Sequence, residues 1–144
     1  MDSDQKWLLM REFKDGLLPK YEQLASNEIE KYNRKLSKKI VRTLIEDMFG
    51  VVSSIGNIIG IIKDYDDEIN FDLKKILNKS FIYPQSKIIV AWSPLDYDYF
   101  SLDDFSNFFS GLWFRASTDI LIFDKSCCWI LLINHEGAVI VLRR

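Results

Sequence analysis

The densest apolar sequence lies at the C-terminal end of the chain. Asp119-Ile-Leu-Ile-Phe-Asp124, Cys127-Cys-Trp-Ile-Leu-Leu-Ile133 and Ala138-Val-Ile-Val-Leu142 are separated only by Lys125-Ser126 and Asn134-His-Glu-Gly137. Runs of β-branched and aromatic residues broken by short polar turns predict a three-stranded antiparallel meander. Gly137 suits the positive φ of a hairpin bulge. A sheet that is wet on one side alternates polar and apolar positions, because successive side chains point to opposite faces. These strands do not alternate, so both of their faces need cover. Lys87-Ile-Ile-Val-Ala-Trp92, closed off by Pro94, predicts one further strand.

Helical periodicity supplies the cover. Ile29, Tyr32, Leu36, Ile40 and Leu44 recur at steps of three and four. They predict a helix over 28–49 with Ser26 or Asn27 as its cap and Gly50 as its end. Its other side carries Lys31, Arg34, Lys35, Lys38, Lys39 and Arg42, read as a solvated face. A short helix over 5–15, with Trp7, Leu8, Met10 and Phe13, ends near Gly16. Asp72 caps a helix over 73–79. Ser101, with Asp104 three residues on, caps another over 101–109, which lines up Leu102, Phe105, Phe108 and Phe109. Val51–Ile62 fits a strand by its β-branched content and a helix by the spacing of Ile55, Ile58, Ile59 and Ile62; helix is favoured. Asp64, Asp66, Asp67 and Glu68 read as a solvated acidic turn, lacking the glycine and closing glutamate of a calcium loop.

These elements predict an α+β fold in a single domain, 1–144. N-terminal helices pack on a mainly antiparallel sheet of about four strands (87–92, 119–124, 127–133 and 138–142) that ends in the meander. The 28–49 helix covers one face, and the 101–109 helix or Val51–Ile62 the other. At 144 residues the chain is long enough for one hydrophobic core.

Composition narrows the function classes. A formal charge of -2 gives no electrostatic case for a nucleic-acid partner. The chain has neither a signal-peptide pattern nor an apolar stretch of the roughly 20 residues that span a bilayer, so a cytoplasmic protein without a membrane partner is expected. Cys127 and Cys128, adjacent in a strand, read as two buried small hydrophobes of a reducing compartment. No spaced second pair completes a metal site, so neither metal nor cofactor is expected.

Residues 64–104 hold 4 basic and 9 acidic groups, which makes the middle of the chain its acidic part. Asp96, Tyr97, Asp98, Tyr99 and Phe100, followed by Asp103 and Asp104, predict an acidic, aromatic surface loop. Desolvated aromatic rings and steering carboxylates there would suit a basic protein partner, and these seven residues are the predicted partner-binding site. An alternative site joins Arg115, Asp119 and His135 as an anion clamp or acid–base group of a small enzyme or ligand-binding domain. Ser117-Thr-Asp119 also fits a side-chain-capped turn. No nucleophile elbow, phosphate-cradling loop or metal-ligand spacing is present, and no catalytic residue is nominated. A third reading is a structural homodimer that buries an uncovered sheet face between copies.

The run Phe108-Phe-Ser-Gly-Leu-Trp-Phe-Arg-Ala-Ser-Thr-Asp-Ile-Leu-Ile-Phe-Asp124, with Trp129 and Ile133-Asn-His-Glu-Gly137, resembles small bacterial proteins, some of them immunity proteins of toxin–immunity systems. The resemblance covers about 86–144. It implies a cytosolic, non-catalytic inhibitor that binds one toxin domain, for example a nuclease with a basic surface.

Overall fold

The C-terminal strands β5 (Ile120–Asp124), β6 (Trp129–Ile133) and β7 (Ala138–Arg143) lie side by side and antiparallel. They occupy part of a larger sheet. β3 (Lys87–Ser93) pairs with β5, β4 (Asp96–Ser101) with β3, and β1 (Tyr21–Gln23) with β4. At the far side β2 (Asn57–Ile61) pairs with β7. The order is β1-β4-β3-β5-β6-β7-β2, a sheet of seven antiparallel strands rather than about four. The computed structural model describes residues 1–12, 18–40, 48–113, 115 and 119–143.

Both faces of the sheet are covered. Every residue of β5 and β6 is buried, as are Ile88 to Trp92 of β3. Alternate side chains feed two separate cores. On one face Ile88, Val90, Ile120, Ile122, Leu131 and Ile133 meet Leu9 of α1 (Ser3–Glu12), Leu73 and Leu77 of α5 (Leu73–Lys79), Phe105 of α6 (Leu102–Asn107) and Phe109 of α7 (Phe109–Leu112). Phe71 stacks on Phe109 at 3.8 Å between ring centres, and Phe109 on Trp113 at 5.6 Å. On the other face Ile89, Ala91, Leu121, Phe123, Ile130 and Leu132 meet Ile29, Tyr32 and Leu36 of α2 (Ser26–Lys39) and Met48 and Val52 of α3 (Met48–Ile55). Lys31, Arg34, Lys35 and Lys38 of α2 face solvent, as their spacing predicts.

Several local expectations are corrected. The helix over 28–49 is shorter, Ser26–Lys39, and its cap residue is Ala25, which offers no side-chain bond. Residues 41–47, with Arg42 and Leu44, lie outside the described residues, as do Phe13 and Gly16. Gly50 does not end a helix but sits inside α3, with open space where a Cβ would be. Val51–Ile62 is half helix and half strand: α3 stops at Ile55 and β2 starts at Asn57. Gly56 makes the switch because a Cβ there would lie 2.5 Å from Ile140 and 2.7 Å from the Val52 carbonyl. Asp64–Glu68 forms a one-turn helix, α4 (Tyr65–Ile69), capped by the Asp64 carboxylate on the Asp67 N–H at 3.0 Å. Asp72 and Ser101 cap α5 and α6 as predicted, through the N–H groups of Lys75 and Asp104. Of the two cysteines only Cys127 is buried; neither is in a disulfide, and both precede the start of β6.

Two buried carboxylates tie the ends of strands together. Asp124 accepts the Trp129 indole N–H at 3.0 Å, the Gln85 N–H at 3.0 Å and the Ser126 N–H at 2.9 Å. Asp98 accepts the Trp92 indole N–H at 2.8 Å and pairs with the Met1 ammonium group, which also lies 2.8 Å from Asp96. Buried carboxylates persist only with such partners, since stripping a charge of water without compensation is costly.

Gly137, in the turn between β6 and β7, holds φ +91, and a Cβ there would lie 2.1 Å from the Ile62 carbonyl oxygen. That carbonyl cannot retreat easily, because the Ile62 N–H donates to the Gly137 carbonyl at 2.7 Å. Gly137→Ala is expected to lower stability by about 1–3 kcal/mol, read as a shifted urea midpoint with an unchanged slope.

Candidate functional site

The acidic, aromatic stretch 96–101 is not a surface loop. It is strand β4, paired on both sides by β1 and β3. Tyr97 and Asp98 have no exposed surface, Phe100 has 1% and Tyr99 has 8%. The Tyr97 hydroxyl donates to Asn33, and the Tyr99 hydroxyl donates to Glu28 at 3.2 Å beside the Tyr32 hydroxyl at 3.4 Å. Burial drives both phenols well above their ordinary pKa, so they stay neutral donors. The Asp-Tyr-Asp-Tyr alternation reads as polar only while the partners of its polar atoms are out of view. Of the seven predicted partner-binding residues, Asp96 is one-fifth exposed at 21%, Asp103 is exposed, and Asp104 is half-buried with its carboxylate accepting the Lys20 N–H.

Arg115, Asp119 and His135 are brought together only in part. Asp119 Oδ1 accepts the His135 backbone N–H at 2.8 Å and meets His135 Nδ1 at 2.9 Å, which fastens the β6–β7 turn to the residue before β5. Arg115 is committed elsewhere: its guanidinium donates to the Lys63 carbonyl at 2.9 Å and its N–H to the buried Glu68 at 3.0 Å. Ser117 and Thr118 lie outside the described residues. An imidazole oriented by a carboxylate is half of a catalytic arrangement. Among the described residues no hydroxyl or thiol bonds to the other ring nitrogen, and no three His, Cys, Asp or Glu side chains converge as a metal site. No helix among them is long and apolar enough to cross a membrane.

The most distinctive surface feature lies between α5 and β3. Helix α5 ends in a paired cap. The Phe81 N–H donates to the Asn78 carbonyl and the Ile82 N–H to the Leu77 carbonyl, both at 3.0 Å. In this cap the residue after the helix adopts a left-handed conformation, and glycine normally takes that place because it has no Cβ to clash. Here the place holds Phe81, at φ 58. Buried Ile82 packs with buried Leu77 in the same core and locks the cap. Phe81 and Tyr83, on either side of Ile82, point outward at 76% and 74% exposure.

The loop is pinned at its far end too, through Gln85 on Asp124. Arg143, at the end of β7, donates to the Ser80 carbonyl and stands beside it. Phe81, Tyr83, Cys128, Trp129 and Arg143 thus border a shallow pocket of ≈ 280 Å³. The signal available in the sequence was a helix end, Asn78-Lys-Ser-Phe-Ile-Tyr-Pro84, that lacks its glycine and runs straight into three bulky apolar residues.

The chain matches no protein-family model, no curated protein and no solved structure.

Phe81→Gly is expected to leave the fold as stable as before or to stabilise it by about 1 kcal/mol, because it relieves the left-handed strain at little loss of packing. Thermal unfolding of the two proteins checks this. At the other site, the Asp119 hydrogen bond and charge hold the His135 imidazole above its ordinary value. A raised folded-state pKa stabilises the fold fully below the unfolded value of about 6.5, and the benefit fades as pH rises through the folded value. An NMR titration of His135 should show the upward shift, and Asp119→Asn should return it to about 6.5.

Proposed function

We propose that this protein is a non-catalytic protein-binding domain and that its partner lands on the Phe81–Tyr83 loop. One observation carries the reading: a phenylalanine occupies the left-handed cap position that glycine fills at no steric cost, and its ring is displayed to water. Fold stability gains nothing from this choice. A breach of a local rule without a local return is what functional sites look like.

The chemistry around it suits a protein surface. Aromatic residues and arginine dominate the energetics of protein contacts, and Phe81, Tyr83 and Arg143 stand together here. The loop is held by backbone bonds at one end and by Asp124 at the other, so little order has to be imposed on binding. The faces of the central strands are already covered by helices within the chain.

The narrower version, a cytoplasmic immunity protein masking a basic toxin domain such as a nuclease, follows the resemblance over 86–144. Its acidic contact would fall to Asp103 and Asp104 with the rim of Asp96, because the other predicted residues are buried.

Capture from native lysate with the wild-type chain and with Phe81→Gly separates binding from folding. A protein retained by the wild type and lost, or weakened by about 10-fold or more, with the variant supports this placement. Equal retention by both chains, at equal thermal stability, removes it. If the partner is a basic toxin domain, Asp103→Asn with Asp104→Asn should flatten the salt dependence of that binding.

A further inference from the structure

The sheet has two edges of different character. β1 is three residues long, and Glu22 with the flanking Lys20 places charges on it. Short, charged edges resist further strand pairing. β2 is the opposite: Asn57-Ile-Ile-Gly-Ile61 continues into Ile62 without a charge, and among the described residues it pairs with β7 alone. Ile58 and Ile61 are exposed at 65% and 57%, and Ile55, at the end of α3, at 53%.

The order in which β2 directs its side chains is self-complementary. Residues directly opposite each other in a ladder share a face. Asn57 lies opposite Val141 and Gly60 opposite Val139, both in the core under α5 to α7, and Ile59 packs against that core while Ile62 is buried in it. Ile58 lies opposite Ile140 and Ile61 opposite Ala138, on the side of α2 and α3. The irregularity between Ile58 and Gly60 thus breaks the usual alternation. From 57 to 62 the sides run first, second, first, first, second, first, a sequence that reads the same backwards. β7, which alternates regularly, meets this pattern with Val139 alone opposite the bulge, whereas a strand with the same pattern laid antiparallel meets it residue for residue on matching sides.

We propose that β2 is a homodimer seam, paired antiparallel with β2 of a second copy about a two-fold axis through the sheet. Ile59 then faces Gly60 of the second copy, Ile58 faces its Ile61, and Asn57 faces its Ile62. Every facing pair lies on the same side of the joined sheet. Ile58 and Ile61 from both copies close into one apolar strip beside Ile55, and none of the paired residues from 57 to 62 is charged. Over the central strands β3, β5 and β6 both sheet faces are covered within each copy, so the seam lies at an edge.

A seam of this length makes a small interface, and its dissociation constant should be on the order of tens of micromolar. Sedimentation velocity of the full chain from about 5 µM to about 500 µM tests it. The mean mass should climb from the 16.9 kDa monomer towards twice that value. Ile58→Lys and Ile61→Lys, both at exposed positions, should each hold the chain monomeric throughout with unchanged thermal unfolding. For the register, Ile58→Cys and Ile61→Cys are made in a Cys128→Ser background and oxidised, alone and mixed. Disulfide dimers should form between the two variants far faster than within either one. A wild-type chain that stays monomeric at the top concentration overturns the proposal. So does dimerisation that survives both lysine variants, and so does a mixed pair that cross-links no faster than the single variants.

Discussion

Everything in this fold answers to one constraint: the central strands β3, β5 and β6 are apolar on both sides and must be kept from water on both sides. A sheet with one wet face solves that problem with a single helical layer. Here two layers are needed, and the chain makes them from different places. α2 and α3 precede the central strands in sequence and take one face, with Tyr32, Leu36, Met48 and Val52 inserted over Leu121, Phe123 and Ile130. The opposite face is closed by α1 and by helices on either side of the β3–β4 hairpin, packed around Phe71, Phe105, Phe109 and Trp113. This face holds more buried aromatic rings than the other, and these large flat side chains fill the space between sheet and short helices.

Closing both faces leaves polar groups of the strand ends inside, and two aspartates manage them. Asp124 gathers donors from the β5–β6 turn, from the segment leading into β3 and from an indole of β6. Asp98 takes an indole from β3 and the Met1 ammonium group. Asp124 replaces water with several fixed donors, which makes a buried carboxylate tolerable; Asp98 has two, both on Oδ2, and its buried Oδ1 has no hydrogen-bond partner among the described residues. Asp124 also holds Gln85 at the end of the Phe81–Tyr83 loop. The packing problem and the candidate contact surface are therefore joined by a single side chain.

What remains at the surface is uneven. Most of the outer helical faces are charged and unremarkable, as α2 shows with its row of lysines and Arg34. Two places differ. The cap of α5 carries an aromatic residue in a strained conformation where glycine serves better, and the β2 edge is a strand with exposed isoleucines and no charged residue of its own. Both sit where the chain gives up a little local stability, one at the end of the sheet and the other along its side.

The sequence by itself determined the elements whose signal is local. The strands expected over 87–92, 119–124, 127–133 and 138–142, the caps at Asp72 and Ser101, the inward face of α2 and the positive φ of Gly137 were all readable, because periodicity, capping and turn chemistry act over a few residues. It also posed the question of the second face, since strands that do not alternate demand cover on both sides. Tertiary structure decided the rest. β4 looked like an acidic loop because its carboxylate and phenol partners, Trp92, Asn33 and Glu28, come from other elements. β2 looked like part of a helix because Ile55, Ile58, Ile59 and Ile62 fit a helical period as well as a strand. Pairing with β7 and the tight space at Gly56 chose between them. The Phe81–Tyr83 loop carried no motif at all; its meaning came from a backbone angle and from exposure, quantities that exist only once the chain has packed.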